Sequence, residues 1–476
     1  MQDISRRRFL TGIAAAAAGV VVLPSLLGAS QAPSVKIRKP NFVFIFGDDI
    51  GWGDLGVYGN KSIKTPNLDR FAMNGMLFTQ FYVNSPVCSP SRAAFMTGQF
   101  PAKLKIHGHF ADSAQNKKRS MPNWLDPSVP TVTRLLHSAG YATGHFGKWH
   151  LGNGSGAPEP ADYGIEDYRI YKGNGPTWEG AKNPESKGST SFIPKSSELI
   201  VDEAMRFVEK NQDKPFYVNV WLKDNHSYLA PTDEQKEPYK KLGGALEIYY
   251  AALTNADVHI GRLLKKLDEL KLADNTVVVF SSDNGPEDIH IENASHSGVG
   301  SAGPFRGRKR SLYDGGIHMP FIVSWPNHIP AGKVDNTSVI SGVDWLPTIC
   351  SLAGVKVPSN LNLDGEDMSS AWLGKPKQRN KPLMWEWRFG IYGDVINVSP
   401  ALAMRENKWK LLMNPDKSRI ELYDLSTNPG EVDNLADRFP DVVTKMSKQL
   451  LQWHNSLPDI KTMPPSAGLL EYPWPK

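Results

Sequence analysis

Phe42-Val43-Phe44-Ile45-Phe46 is apolar at every position, with no polar residue to take a solvent-facing side. A strand with one wet face alternates polar and apolar residues, so a run like this needs cover on both faces, as in a parallel sheet between helices. Comparable runs recur at residues 216–222, 276–280 and 321–325. Amphipathic helix patterns lie between the runs, at residues 68–77, 131–139 (closed by Gly140), 197–209 and 246–270. The chain therefore reads as α/β, with one large sheet flanked by helices. At 476 residues it is long for one simple core, so a large domain with a smaller one is expected.

Past Leu373 the texture changes. Gly374-Lys375-Pro376-Lys377 reads as a linker, and residues 402–405, 409–412 and 421–424 as short antiparallel strands. Asn428-Pro429-Gly430-Glu431 is a turn before a closing helix over residues 440–456. Residues 153–194, rich in Gly, Pro, Asn and Ser, read as a long surface excursion. At the N-terminus, Ser5-Arg6-Arg7-Arg8-Phe9-Leu10 is a twin-arginine pattern followed by an apolar run that Gly19 and Pro24 interrupt. That run is short for a membrane span, although an uncleaved anchor is the alternative. The expected organisation is a signal peptide over residues 1–32, a large domain over 33–375 and a C-terminal subdomain over 376–476. The address implies the twin-arginine export machinery and a periplasmic or secreted product.

The formal net charge is +5, and losing the three Arg and one Asp of the first 32 residues leaves +3. Such a balance gives no reason to expect nucleic acid as a partner, while a local basic cleft for an anionic substrate stays open. Two cysteines, Cys88 and Cys350, give no disulfide framework, and Cys350 reads as a buried thiol.

The reactive-looking residues follow strands. Asp48 and Asp49 follow the first run, Asp283 and Asn284 follow residues 276–280, and His226 follows residues 216–222. In open α/β sheets the ligand crevice lies outside the carboxyl ends of the strands, so these groups should converge. Adjacent carboxylates repel unless a cation separates them, and an all-oxygen donor set suits Ca²⁺, with Mg²⁺ the second choice. Taken alone, Asp48-Asp49 is equally a turn or a cap, and Asp54 reads as structural. Residues 91–97 read as a helix whose N-terminus would favour an anion.

Cys88-Ser89-Pro90-Ser91-Arg92 is a Cys-x-Pro-x-Arg run that continues as Ala93-Ala94-Phe95-Met96-Thr97-Gly98. Further on stands Gly140-Tyr141-Ala142-Thr143-Gly144-His145-Phe146-Gly147-Lys148-Trp149-His150-Leu151-Gly152. In both stretches the chain resembles the formylglycine-dependent sulfatases of the alkaline phosphatase-like superfamily. The resemblance implies a large, mostly parallel mixed sheet with a small C-terminal subdomain of four antiparallel strands and a helix. It implies that a formylglycine-generating enzyme converts Cys88, and that Asp48, Asp49, Asp283, Asn284 and residue 88 bind Ca²⁺. Arg92 would steady the nucleophile, Lys148 and Lys309 would bind sulfate, and His150 would take a proton from the hydrated aldehyde. A Lys and a His two apart in extended backbone would point to one side. His226 stands where many sulfatases carry Pro-His-x-Pro; it is assigned as a sulfate ligand and proton donor. His107, His109, His296 and Arg306 are weaker candidates for substrate contacts, and Arg308 and Arg310 stay uncommitted.

The implied reaction is hydrolysis of sulfate esters, with a sulfated poly- or oligosaccharide as the expected substrate and Trp124, Trp178, Trp385 and Trp387 as candidate sugar-stacking faces. Two rivals remain: a phosphomonoester or phosphonate-ester hydrolase of the same fold, and a non-catalytic binder of sulfated glycans that lacks formylglycine. The sugar, the sulfated position and the oligomeric state are left open.

Overall fold

The computed structural model describes residues 39–152, 154–171, 173, 194–288, 290 and 292–458. The expected signal peptide, Trp178 and most of the 153–194 excursion lie outside them. The strands in chain order are β1 (Asn41–Gly47), β2 (Met76–Phe78), β3 (Phe81–Tyr82), β4 (Ala142–Lys148), β5 (Asp167–Tyr171), β6 (Phe216–Trp221) and β7 (Thr276–Ser282). They continue with β8 (Phe321–Ser324), β9 (Lys333–Asp335), β10 (Ile340–Ser341), β11 (Leu383–Glu386), β12 (Leu402–Glu406), β13 (Trp409–Met413) and β14 (Glu421–Asp424).

Eight of them form one sheet in the order β5-β4-β6-β1-β7-β8-β2-β9. All neighbours are parallel except β8, which runs antiparallel to β7 and β2. The unbroken apolar run of β1 is explained by its two covers. Phe42, Phe44 and Phe46 pack into one core cluster with Phe95 and Trp345, on the helices Cys88–Thr97 and Trp345–Leu352. Val43 and Ile45 pack into a second with Ile200, Phe207, Leu253 and Ile260, on the helices Ser196–Lys210 and Gly244–Glu269. Each large side chain buried this way is worth about 1.5–3 kcal/mol of transfer free energy.

β11 to β14 form a separate antiparallel sheet in sequential order, with Met446 and Leu450 of the helix Pro440–Asn455 buried beneath it. Its Leu402, Met404 and Leu411 belong to the same core cluster as Phe44 and Phe321, so apolar packing runs unbroken from one sheet into the other. Among the described residues no helix is long and apolar enough to cross a membrane.

Two readings of the sequence need correction. The pattern over residues 68–77 is a helix only over Pro66–Met73; Asn74 and Gly75 end it, and Met76 already belongs to β2. A side chain at Gly75 would bring Cβ within 2.4 Å of the Val323 carbonyl oxygen, so the chain turns there to join the sheet. Part of the 153–194 excursion is not a loop, since Asp167–Tyr171 forms edge strand β5. Its first three residues stay half-exposed, and this edge polarity hides the strand in the sequence.

Candidate active site

β4, β6, β1 and β7 run parallel, so the residues that follow them share one edge of the sheet. Asp48 N–H donates to the Asp224 carbonyl and Asn225 N–H to the Asp48 carbonyl, which ties the β1 and β6 loops together. Asp49 adopts φ 59°, a left-handed conformation that costs a non-glycine residue free energy and turns its carboxylate toward the β7 loop. There Asp49 N–H donates to Asp283 Oδ1 at 3.2 Å. Asp48, Asp49 and Asp283 each offer one oxygen within 4.8 Å of the others, and all three are buried.

Three cations neutralise this carboxylate cage. Lys148 Nζ lies 2.6 Å from Asp48 Oδ2, and Lys309 Nζ lies 2.7 Å from both oxygens of Asp49. Arg92 donates from Nη2 to Asp283 Oδ2 at 2.6 Å and from Nη1 to the Lys148 carbonyl at 3.0 Å. Its guanidinium sits 5.4 Å and 5.0 Å from the Phe46 and Trp221 rings, which fixes it without exposing it. Burial pushes the Asp48 carboxyl up, but Lys148, His226, Arg92 and Lys309 outweigh it and hold the group well below the usual range. Asp283 moves the other way, because burial and the charge of Asp48 exceed the pull of Arg92.

The donors fit a hard cation. Asp48 Oδ1 and Asn284 Oδ1 are buried and accept no hydrogen bond. Asn284 Nδ2 donates to Asp49 Oδ1 at 2.7 Å and to the Gly285 carbonyl at 2.9 Å, so its orphan atom is the oxygen. Buried acceptors without partners are costly unless something electropositive arrives. A purely oxygen set selects Ca²⁺ or Mg²⁺ chemistry over zinc.

Cys88 is the first residue of the fully buried helix Cys88–Thr97, which no side chain caps, so its first N–H groups remain available to an anion. Cys88 Sγ lies 3.1 Å from His150 Nδ1. On its other side, His150 Nε2 lies 3.1 Å from the Phe110 carbonyl, an acceptor only, so Nε2 carries the proton and Nδ1 is bare. Burial first, then Lys148 and Arg92, hold the imidazole well below its ordinary value, so it stays neutral and ready to accept a proton. The expected placement by alternation is corrected: His150 has φ 52°, and a bend rather than extended backbone brings it beside Lys148. Gly147, at φ 112°, lets β4 lie close against β6, since a Cβ there would sit 1.8 Å from the Trp221 carbonyl oxygen.

His226 Nδ1 lies 2.9 Å from the Ser227 carbonyl and therefore carries the proton, leaving Nε2 3.9 Å from Asp49 Oδ2. Burial, then Lys309 and Lys148, lower its pKa to about 3. Sequence reasoning missed Glu287, which lies 3.6 Å from Lys309 and is gripped by Arg310 through both oxygens. The signal was an acid three residues past the Asp283-Asn284 pair. Asp54 is structural: it accepts from Gly51 N–H, Ser301 N–H and the Tyr249 hydroxyl, and burial raises it to about 6.

The weaker substrate candidates divide. His109 lies beside the site, its ring centroid 6.3 Å from that of His150. His296 is exposed on the turn of 3₁₀ helix Glu292–Val299. Two candidates are corrected. His107 is buried against Glu386 at 2.8 Å, and Arg306 braces the Ile396 and Glu431 carbonyls while stacking 3.8 Å over Tyr313. Arg308 is consumed by the Glu287, Gly298 and Gly300 carbonyls. Trp385 and Trp387 are core residues, not sugar platforms, and Trp124 is half-buried. Both cysteines are free thiols, and burial pushes Cys350 up to about 12.

Comparison with known proteins agrees with this geometry. Residues 40–355 match the sulfatase family model, and residues 303–456 match that of the C-terminal region of N-sulphoglucosamine sulphohydrolase. Human arylsulfatase A (Homo sapiens) is 32% identical over 483 residues, covering 90% of each chain. The N-acetylgalactosamine-6-sulfatase of Canis lupus familiaris is 34% identical over 379 residues, covering 73% of this chain and 68% of its own. Among solved structures, Ps i-CgsB in complex with k-i-k-neocarrahexaose superposes with a TM-score of 0.75 at 27% identity, covering 90% of this chain and 95% of that one. The chain belongs to the sulfatase family, and the reaction it performs is the hydrolysis of sulfuric esters.

Proposed function

We propose that the sulfate ester is carried by a poly- or oligosaccharide outside the cytoplasm, that Cys88 acts as formylglycine, and that the carboxylate cage holds Ca²⁺. The observation that carries this reading is the 3.1 Å approach of Cys88 Sγ to a bare imidazole nitrogen, with Asp283 of the cage near enough to feel its charge. A Cys–His pair at 3.1 Å also suits a thiolate nucleophile, but a soft sulfur is a poor neighbour for a hard cation. An oxygen at that position suits the cage, and Cys88-Ser89-Pro90-Ser91-Arg92 is the run the modifying enzyme reads.

Asp48, Asp49, Asp283 and Asn284 would hold the cation together with residue 88. When present, the cation neutralises sulfate oxygens and the hydrated aldehyde supplies the oxygen that attacks sulfur. Lys148 and Lys309 bind the sulfate oxygens and stabilise the charge that develops on them. Lys309 keeps its proton, since Asp49 and Glu287 outweigh burial and raise its pKa, so it acts as a fixed positive charge. His226, held neutral by burial and the nearby lysines, gains a reason to protonate when the anionic sulfate ester arrives, and it serves as the donor to the leaving oxygen. His150 Nδ1 takes the proton whose removal releases sulfate, and the Phe110 carbonyl steadies the resulting imidazolium.

A carbohydrate substrate is supported by the N-acetylgalactosamine sulfatase among the relatives and by the sugar bound to Ps i-CgsB. The twin-arginine pattern at residues 5–10 supports export to where such polymers lie. Mass spectrometry of the peptide spanning residue 88, from the natural host, tests the nucleophile: conversion removes about 18 Da from the cysteine. Release of sulfate from size-defined sulfated oligosaccharides, with an aryl phosphate as control, tests the substrate. An unmodified thiol in active enzyme, or a faster rate on the phosphate, overturns the reading.

A further inference from the structure

A cleft of about 530 Å³ opens between the loop after β9, the segment 376–382 and the turn joining β12 to β13, and shares no lining residue with the carboxylate cage. Five cations line it: Lys377, Arg379, Lys381, Arg405 and Lys408. The one carboxylate among the lining residues, Glu406, is engaged by Lys445 at 2.6 Å.

The two arginines set the chemistry. The Arg379 side chain is 7% exposed; its Nε donates to the Val339 carbonyl at 3.2 Å, and its Nη2 to the Asp344 carboxylate. Arg405 is 6% exposed and stacks 4.5 Å over the Tyr82 ring. Its Nε donates to the Asn407 carbonyl at 3.2 Å and its Nη2 to Gln80 Oε1 at 2.8 Å. In both residues Nη1 is buried and makes no hydrogen bond. Two guanidinium groups, locked in place by their other nitrogens, thus stand in the wall of one cleft, each with one buried N–H group unpaired. A planar guanidinium fork is matched by an oxyanion, and a charge-assisted bond removes the penalty of a buried unpaired N–H. Around them Lys408 is half-exposed with Asp424 as partner, and Lys381 holds the Leu363 and Gly365 carbonyls with donor capacity to spare.

We propose that this cleft is a second oxyanion site, holding a sulfate or carboxylate group of a polyanionic glycan and so tethering the polymer to the enzyme. The proposal rests on the carbohydrate reading above. The size of the cleft and the spread of its five cations exceed what one inorganic ion would occupy. No aromatic side chain lines it, so it offers nothing for a nucleic-acid base to stack on.

The test measures binding of an end-labelled sulfated hexasaccharide, and of inorganic sulfate, to the Cys88→Ala protein, which binds without turnover. The variants are the exposed-lysine pair Lys381→Glu/Lys408→Glu and, separately, Arg379→Lys, which keeps the charge but loses Nη1. Hexasaccharide affinity should fall about tenfold in the pair, in line with the loss of a steering charge patch. With Cys88 intact, KM for a sulfated polymer should rise by a similar factor, while kcat and turnover of an aryl monosulfate stay unchanged. Unchanged affinity in both variants overturns the site, as does binding of inorganic sulfate without the hexasaccharide. Should the lysine pair fail to fold, Arg379→Lys alone decides. A wild-type protein that binds the hexasaccharide but desulfates no sugar would sink the substrate reading and leave the cleft standing.

Discussion

Two buried clusters of charge stand at opposite ends of the Lys309–Asp314 segment, and they are built differently. In the inner cluster, Lys410 of β13 lies 2.6 Å from Asp314 Oδ1 and 2.7 Å from Glu431 Oε1. Glu431 Oε2 accepts from Asp314 N–H at 2.6 Å, and Asp314 Oδ2 accepts from the Tyr82 hydroxyl at 2.7 Å and pairs with His318 at 3.1 Å. Each of the four carboxylate oxygens has an ion-pair or hydrogen-bond partner within 3.1 Å, although Glu431 Oε1 meets Lys410 outside hydrogen-bonding geometry. The carboxylate cage instead leaves Asp48 Oδ1 with no cation nearer than 3.8 Å and Asn284 Oδ1 without a hydrogen bond, although Arg92, Lys148 and Lys309 each pair with one of its carboxylates. A dication added there leaves an excess of positive charge, which a monoanionic sulfate ester partly offsets and the released sulfate dianion cancels. The inner cluster is arranged to stay as it is; the cage is arranged to be completed.

The contrast is sharpest at residue 88, the nucleophile proposed above. Cys88→Ala should lower turnover by about 10⁴-fold or more while leaving the melting temperature nearly unchanged, because the cage neither gains nor loses a charge. A variant that keeps a tenth of its activity would mean that residue 88 does not do the chemistry. His150→Gln should cost about 10²- to 10⁴-fold, the usual range for a lost general base. Single-turnover kinetics should place that loss after the leaving group departs, and an unaltered second phase would remove His150 from the role given to it.

Lys410→Met attacks the other cluster. It leaves two buried carboxylates without their shared cation, a change that costs about 3–5 kcal/mol in comparable buried pairs. Chemical denaturation should record that loss, while kcat per folded molecule holds. A kcat that falls in step with stability would show that the inner cluster also tunes Lys309, and the distinction between the two clusters would fail.

How much of this was readable beforehand depends on what encodes each feature. The core strands β1, β6 and β7 announced themselves because burial on both faces fills them mostly with apolar residues, the buried Asn219 of β6 and the polar strand ends apart. The cage was readable for the same reason of placement, since Asp48, Asp49, Asp283 and Asn284 directly follow those strands. β5 was not, because an edge strand carries polar residues like a loop. Nor were the roles of His107 and Arg306, since nothing local says that Glu386 and the Glu431 carbonyl, far along the chain, will claim them. The bend at His150 was also hidden: sequence spacing assumes a regular backbone, and a residue at φ 52° departs from it.

Calcium and sulfate should bind the cage cooperatively if charge balance governs it. Protein dialysed against a chelator should melt lower, and adding Ca²⁺ with sulfate should raise the melting temperature by more than the two separate increments together. The lysine-closed inner cluster predicts no such response of its own, so Lys410→Met should show the same increment from a lower baseline. Additive shifts would mean that the three cations of the cage are already balanced without ligand.

The smallest expected effect separates the clusters by pH. Burial pushes the Glu431 carboxyl up to about 8 from its ordinary 4.5, with Lys410 pulling against the rise and the charge of Asp314 adding to it. Below 4.5 both folded and unfolded chains hold that proton, and above about 8 neither does. Between those limits the folded state keeps a proton that the unfolded chain has released, so this group makes stability fall as pH rises through the window. Asp48, held low by its cations, acts in the opposite sense, adding stability that disappears only as the pH drops through the acid range. Glu431→Gln keeps an oxygen for the Asp314 N–H but cannot titrate. Its denaturation midpoint should therefore gain on that of the wild type between about pH 5 and about pH 8, and merge with a constant offset above that. Parallel curves across the window would show that Glu431 is ionised in the folded protein, with Lys410 neutralising both carboxylates at once.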